Sequence, residues 1–192
     1  MFIQTEGTPN PATMKFIPGT EVMKEGTYSF ANKEETKNSP LAEELFDVEG
    51  VIGVFYGRDF ITITKTEEKE WGNLKPSILT TIMEYFVAGK PLIKTGSGSD
   101  LKNGESANSE AEEDGGIVAT IRELIDTRVR PAVAEDGGDI IFHGFQDGVV
   151  LLEMHGACAG CPSSTITLKE GIENMLKHYV PEVESVEAVD PF

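Results

Sequence analysis

Between Thr95 and Asp114 the chain has almost nothing apolar to bury. Gly96-Ser97-Gly98-Ser99 opens this stretch and Glu110-Ala111-Glu112-Glu113-Asp114 closes it. A segment of that composition cannot offset the conformational entropy of folding, so it reads as a flexible acidic linker. It divides the 192 residues into two pieces, 1–94 and 115–192, each of which must build a core of its own. A flexible linker over 95–114 has a root-mean-square reach of roughly 25 Å, so each piece stays near whatever the other holds. The expected class is α+β: two small α/β domains joined by a flexible acidic linker.

The net charge of −17 argues against nucleic acid, which needs a basic face. It argues equally against an anionic membrane surface. No apolar run approaches the ~18 residues of a membrane span. Met1 to Gly7 shows neither a secretory pattern nor an Arg-rich transit pattern. The expectation is a chain that stays in a reducing cytoplasm, where two cysteines are a metal or redox site rather than a disulfide framework.

In the first piece, Phe2–Thr5, Met14–Ile17 and Thr27–Phe30 read as short strands separated by the Thr8-Pro9-Asn10-Pro11 turn and by Pro18-Gly19. Ser39 reads as an N-cap with Pro40 at the first helical position. The helix it starts runs to about Val48, with Leu41, Leu45 and Phe46 on one side. Val51–Tyr56 and Phe60–Thr64 form a hairpin around Gly57-Arg58-Asp59. A longer helix spans Trp71 to Ala88, with Leu74, Ile78, Ile82, Tyr85 and Phe86 at helical spacing, and Gly89 and Pro91 stop it. This piece contains no cysteine and no histidine. Its carboxylate pairs read as solvated faces, Trp71 as a helix-start residue on the sheet, and no catalytic constellation is found in it.

In the second piece, Ile117 to Val129 reads as a helix with Val118, Ile121, Ile125 and Val129 on one face, ended or kinked by Pro131. Asp136-Gly137-Gly138-Asp139 is a turn signal. Ile140–Phe145 and Val149–Met154 are two strands joined at Gln146-Asp147-Gly148. A helix from Ser163 to Tyr179 carries Leu168, Ile172, Met175, Leu176 and Tyr179 on one face and stops at Pro181. Val183 to Val189 alternates as a third strand. The order is α-β-β-α-β.

Gly156-Ala157-Cys158-Ala159-Gly160-Cys161-Pro162-Ser163-Ser164 holds both cysteines, at the hairpin exit and just before the helix. Ala159 and Gly160 permit a tight turn, and Pro162 suits a first helical position. A helix N-terminus favours thiolate, the form that binds metal or attacks disulfides. Such a pair can be a bystander, a redox couple or half of a metal site. The bystander reading is weakest, given the spacing and the glycines. A thioredoxin-like dithiol suits the helix start, yet that motif belongs near a βαβ pattern. It also tends to carry proline between its cysteines, and Pro162 lies outside this pair. A metal site wants about four ligands. His143 or His155 is near enough in sequence to be considered, while His178 sits where a helix C-terminus favours a cation. Two chains meeting at their cysteine loops would supply four thiolates on a two-fold axis. Such a shared, exposed site suits a cofactor that must leave again.

Arg130-Pro131, then Glu135-Asp136-Gly137-Gly138-Asp139, then Gly156 to Ser164, with Thr167-Leu168-Lys169 and Gly171-Ile172-Glu173 after it, closely resembles the C-terminal domain of NifU-type proteins. Thr8-Pro9-Asn10-Pro11, Lys15-Phe16 and Pro18-Gly19 resemble the N-terminal domain of Nfu proteins. The resemblance implies an iron–sulfur cluster scaffold or carrier and not an enzyme. It makes Cys158 and Cys161 the cofactor and metal ligands, shared between two subunits of a homodimer that bridge a [4Fe-4S] cluster. Two cysteines per chain are equally compatible with [2Fe-2S]. The implied partners are apo iron–sulfur client proteins and an upstream cluster-assembly scaffold. Asp136 to Asp139 match the family too, and are read as a turn, not as ligands. Eukaryotic relatives are made with a mitochondrial targeting segment. A bacterial cytoplasmic protein is therefore expected, with a processed chain of the mitochondrial matrix as the alternative.

Overall fold

The structure, a computed structural model, describes residues 2–94, 115–159 and 162–189, with the side chains of 115 and 162–164 outside that description. The expected linker over 95–114 and Cys161 lie outside the described residues. The chain divides into two compact units, Met1–Asn103 and Gly104–Phe192. Among the described residues no helix is long and apolar enough to cross a membrane.

The first unit is a five-stranded antiparallel sheet in the order β1-β2-β5-β4-β3. Its strands are β1 (Gln4–Gly7), β2 (Thr13–Ile17), β3 (Tyr28–Phe30), β4 (Val51–Tyr56) and β5 (Ile61–Lys65). Two helices, α1 (Pro40–Phe46) and α2 (Trp71–Val87), supply most of the rest of the core, with Val22 added from the connection between β2 and β3. Leu41 and Leu45 of α1 and Leu74, Ile78, Ile82 and Tyr85 of α2 are buried with Phe16, Tyr56, Ile61 and Ile63 of the sheet, as their helical spacing requires. Ser39 caps α1 as expected: its Oγ accepts the Ala42 N–H at 3.3 Å. The first strand begins two residues later than expected. A 3₁₀ turn, Lys33–Asn38, was not foreseen, because its signal is only a cap. Asn32 accepts the Glu35 N–H, and the Glu35 carboxylate returns to the Ala31 N–H at 2.7 Å. Glu35 is thus a capping group rather than a bare solvated charge. Trp71 leans on Phe16 at 6.5 Å between ring centroids and donates Nε1–H to the Pro11 carbonyl, so it packs where expected.

The second unit is a three-stranded sheet, β6 (Gly138–Gln146), β7 (Val149–Gly156) and β8 (Ser185–Val189), in that order. Its helices are α3 (Gly115–Leu124), α4 (Arg130–Glu135) and α5 (Pro162–Tyr179). β6 and β7 form the expected hairpin. Asp147 (φ 49) and Gly148 (φ 79) both take positive φ, the requirement of the two-residue turn that matches strand twist. Val150, Leu152 and Met154 alternate into the core with Ile121, Ile125, Val129, Ile172 and Leu176.

Three expectations are corrected here. Of the two outcomes expected of Pro131, an end or a kink, the end is corrected, since helix continues past it to Glu135. A π-helical segment, Ile125–Val129, joins α3 to α4, and the Arg130 N–H bonds the Ile125 carbonyl five residues back. Widening the helix by one residue accommodates a proline that has no N–H to give and whose ring would crowd the carbonyl four residues earlier. Second, Gly138 and Asp139 belong to a strand, and the turn is confined to Asp136 and Gly137 (φ 83). Third, Tyr179 is 46% exposed rather than core, and lies against the Arg128 guanidinium at 4.9 Å.

Candidate metal centre

β8 pairs with β7 in parallel. A parallel pair needs a crossover, and α5 supplies it. The cysteine loop is therefore the βα turn of a β-α-β unit, at the carboxyl end of the central strand. Open α/β sheets hold ligands at that end. The expectation that the pair lies away from any βαβ pattern is thus corrected. The hairpin supplies the first strand of one, a fact that depends on where β8 pairs.

Cys158 follows β7 by two residues. Gly156, at φ 62, turns the chain. Backbone hydrogen bonds then hold the loop: Ala157 N–H to Gly137 O at 3.1 Å, Cys158 N–H to His155 O at 3.3 Å and Ala159 N–H to Gly156 O at 3.1 Å. From the first turns of α5, Thr165 Oγ1 donates to the Cys158 carbonyl at 3.2 Å.

Cys158 is 6% exposed and belongs to the apolar core. Burial, with the Asp136 and Asp139 carboxylates adding to it, pushes its thiol up to about 12. The expected exposed, helix-activated thiolate is therefore corrected for Cys158: desolvation outweighs the helix dipole. Beside it, a Cβ on Gly138 would stand 2.4 Å from Cys158 Sγ and 2.8 Å from the His155 carbonyl oxygen. Next along β6, Asp139 is 3% exposed and is held by Arg130 through two hydrogen bonds of 2.8 Å. Its Oδ1 also accepts the Ile140 N–H at 2.8 Å. The Asp136–Asp139 stretch thus does more than turn: it lies under the cysteine loop. Nothing in sequence spacing signals that, since 19 residues separate Asp139 from Cys158.

The two histidines considered as ligands both turn to Glu153. His143 Nε2 bonds one carboxylate oxygen. His155 Nε2 lies 3.0 Å from the other without a well-aligned hydrogen bond. Burial lowers the His155 pKa, against the opposing pull of Glu153. Among the described residues no group of three or more His, Cys, Asp or Glu could hold a metal ion. Cys161 lies outside the described residues, so of the two expected ligands the structure describes Cys158.

Fold and site together define a class: a small α/β domain that offers cysteine sulfur at a βα turn, carried on a chain with a second sheet domain. Residues 3–89 match the family model for the "scaffold protein Nfu/NifU N terminal" domain, and residues 121–187 match the "NifU-like domain". The human "NFU1 iron-sulfur cluster scaffold homolog, mitochondrial" is 53% identical over 190 residues, covering 98% of this chain and 72% of its own length. The protein of the same name from Drosophila sechellia is 51% identical over 191 residues, covering 98% of this chain and 65% of its own length. The solution structure of a NifU-like protein from Saccharomyces cerevisiae aligns over 50% of this chain and 87% of its own, with 26% identity and a TM-score of 0.46. The chain belongs to the Nfu family. The expectation of a bacterial cytoplasmic protein is overturned, because the human and Drosophila sechellia relatives, which match almost the whole chain, are named as mitochondrial. That expectation leaned on the first few residues, which do not report the compartment of a chain that spans only part of its relatives' length.

Proposed function

We propose that this chain is an iron–sulfur cluster scaffold and carrier of the mitochondrial matrix. Two copies hold a labile [4Fe-4S] cluster between them through Cys158 and Cys161 and hand it to apo iron–sulfur proteins. An upstream assembly scaffold supplies it. The cluster is cargo, and the chain is not a catalyst. The working division is a first domain over 1–94, a connection over 95–114 and a cluster-binding domain over 115–192. The observation that carries the reading is the ligand count at the βα turn. Cys158 stands there in a C-x-x-C pair, and the described residues offer no group that completes a site within one chain. A cluster wants about four protein ligands, so a second copy is needed. A site that one chain cannot close is easily opened again by thiolates of a recipient.

The test is anaerobic reconstitution of the full chain with ferrous iron and sulfide. Visible sulfide-to-iron charge-transfer absorption, iron and sulfide content and molecular mass are followed together. Four irons per two chains is the expected result, and two irons per two chains would replace [4Fe-4S] by [2Fe-2S]. Cys158→Ala and Cys161→Ala should each abolish the chromophore. A chromophore that survives either change, or none in the unaltered chain, overturns the reading. The rival, a dithiol oxidoreductase, predicts catalytic disulfide reduction by a metal-free monomer. Its topological obstacle is gone, but a buried Cys158 thiol pushed up to about 12 is a poor nucleophile near neutral pH. No turnover is expected in an insulin reduction assay.

A further inference from the structure

Gly137 and Gly138 are adjacent and have different reasons to be glycine. Gly137 sits at φ 83, where a side chain is strained. Gly138 is absent from the positive-φ positions, so its φ does not call for glycine. What it lacks is room: a Cβ there would meet Cys158 Sγ at 2.4 Å, the His155 carbonyl oxygen at 2.8 Å and Cys158 N at 3.0 Å, and of these three atoms only the sulfur can leave by a side-chain rotation. We infer that Gly138 is the seat in which the cluster-free chain stores the Cys158 thiol, and that the thiol must swing out of this seat before a cluster can bind. The inference rests on the reading of Cys158 as a cluster ligand.

The seat cannot also be the binding position. A cluster shared by two chains lies outside both, and the interior around a residue that is only 6% exposed and part of the apolar core is packed like the rest of a core, without space for a group of that size. Either the backbone or the side chain must move. The backbone is held at Ala157, Cys158 and Ala159 by their N–H bonds, and at the Cys158 carbonyl by Thr165. Rotation about the Cα–Cβ bond of Cys158 breaks none of these and has staggered alternatives to move to. Gly138 is then a positioning residue. It lets the lone chain keep its sulfur away from oxidants and stray metal ions, and gives it up only when a cluster and a second chain can hold it outside.

The test uses the full chain with Cys161→Ser, which leaves Cys158 as the sole thiol. Iodoacetamide labelling is followed by intact mass, natively and in denaturing guanidinium at the same pH. Native labelling is expected to be at least ~100-fold slower, as for a group that reacts only through local opening. A native rate within ~3-fold of the denatured one overturns the seat, because an exposed thiol needs no opening. Gly138→Ala on the same background should raise the native rate at least ~10-fold while cooperative unfolding is retained, since the added methyl expels the sulfur. An unchanged rate in a folded variant also overturns it. If that variant does not fold, the native-to-denatured ratio of the parent decides. Reconstitution of the unaltered chain is run beside these. A freely labelled Cys158 in a chain that still takes up a cluster removes the seat and leaves the scaffold reading. A protected thiol in a chain that takes up none removes the scaffold reading, and with it the swing.

Discussion

Arg130 grips Asp139 with two parallel hydrogen bonds of 2.8 Å, Nε to Oδ1 and Nη2 to Oδ2. The pair ties the start of α4, just past the π segment, to the first residues of β6 beside the cysteine loop. Its carboxylate is 5% exposed and its guanidinium side chain 36%. Losing Arg130 strands a buried charge, which costs less here than at a fully enclosed pair because water reaches one side. Arg130→Ala is expected to cost about 2–3 kcal/mol in urea unfolding of the second domain. Arg130→Lys should recover less than half of that, since an ammonium cannot make the fork-shaped contact. Both variants should release a reconstituted cluster faster than the parent, read as decay of its visible absorption.

Ser39 holds two groups at once. Its Oγ accepts the Ala42 N–H and bonds the Tyr56 hydroxyl at 3.0 Å, and both side chains are fully buried. Burial raises the Tyr56 pKa, with the Ser39 bond opposing it. Ser39→Ala removes a cap and orphans a buried hydroxyl, for an expected loss of ~1–3 kcal/mol. Adding Tyr56→Phe to that variant should cost less than Tyr56→Phe alone, with a coupling of ~0.5–2 kcal/mol by a double-mutant cycle. Strict additivity would show that the hydroxyls do not depend on each other.

Glu173 on α5 reaches both Lys177, at 2.6 Å, and the Val186 N–H of β8, at 3.2 Å. These bonds favour the carboxylate and hold its pKa below the ordinary 4.5. A depressed pKa means that the stabilisation is present above the unfolded value and fades as pH falls through the folded one. Glu173→Gln should therefore be less stable than the parent at neutral pH. The gap should close only as the pH falls below the ordinary carboxylate range and through the depressed folded pKa, where both side chains are neutral. A gap independent of pH would mean that the charge contributes nothing.

Gly148 combines φ 79 with the close approach of Glu184, whose Cγ would lie 2.8 Å from an added Cβ. Its carbonyl also accepts the Glu184 N–H at 2.7 Å. Gly148→Ala is expected to destabilise the second domain by about 2 kcal/mol through strain and crowding together. Asp147→Gly, at the neighbouring positive φ, should be close to neutral. Equilibrium unfolding of both variants separates the two causes.

Much of this was legible in the residues because the signals are local. Leu74, Ile78 and Ile82 recur at the spacing of one helix face. Ser39-Pro40 announces a helix start by its own hydrogen-bonding chemistry. Gln146-Asp147-Gly148 announces a two-residue turn by its tolerance of positive φ. Both cysteines could be singled out from spacing and from the small residues around them. Helix ends were read less well. Pro131 looks like a stop or a kink in sequence, and only the packing of Ile121, Ile125, Val129 and Val133 on one sheet makes it worth widening the helix to pass it.

The sequence by itself determined that there are two cores, which faces of the helices enter them, where the hairpins turn, and that Cys158 and Cys161 are the pair to test as ligands. Only the tertiary structure decided that β8 lies parallel to β7, which turns the cysteine loop into a βα turn. It alone decided that Arg130 closes on Asp139, and that Gly138 leaves room for a buried Cys158 sulfur. The reason is physical. Periodicity, capping and turn preference act over a few residues and are written in each stretch. Burial, strand partnership and the pKa of a thiol depend on atoms that meet from distant parts of the chain, and no single stretch carries them.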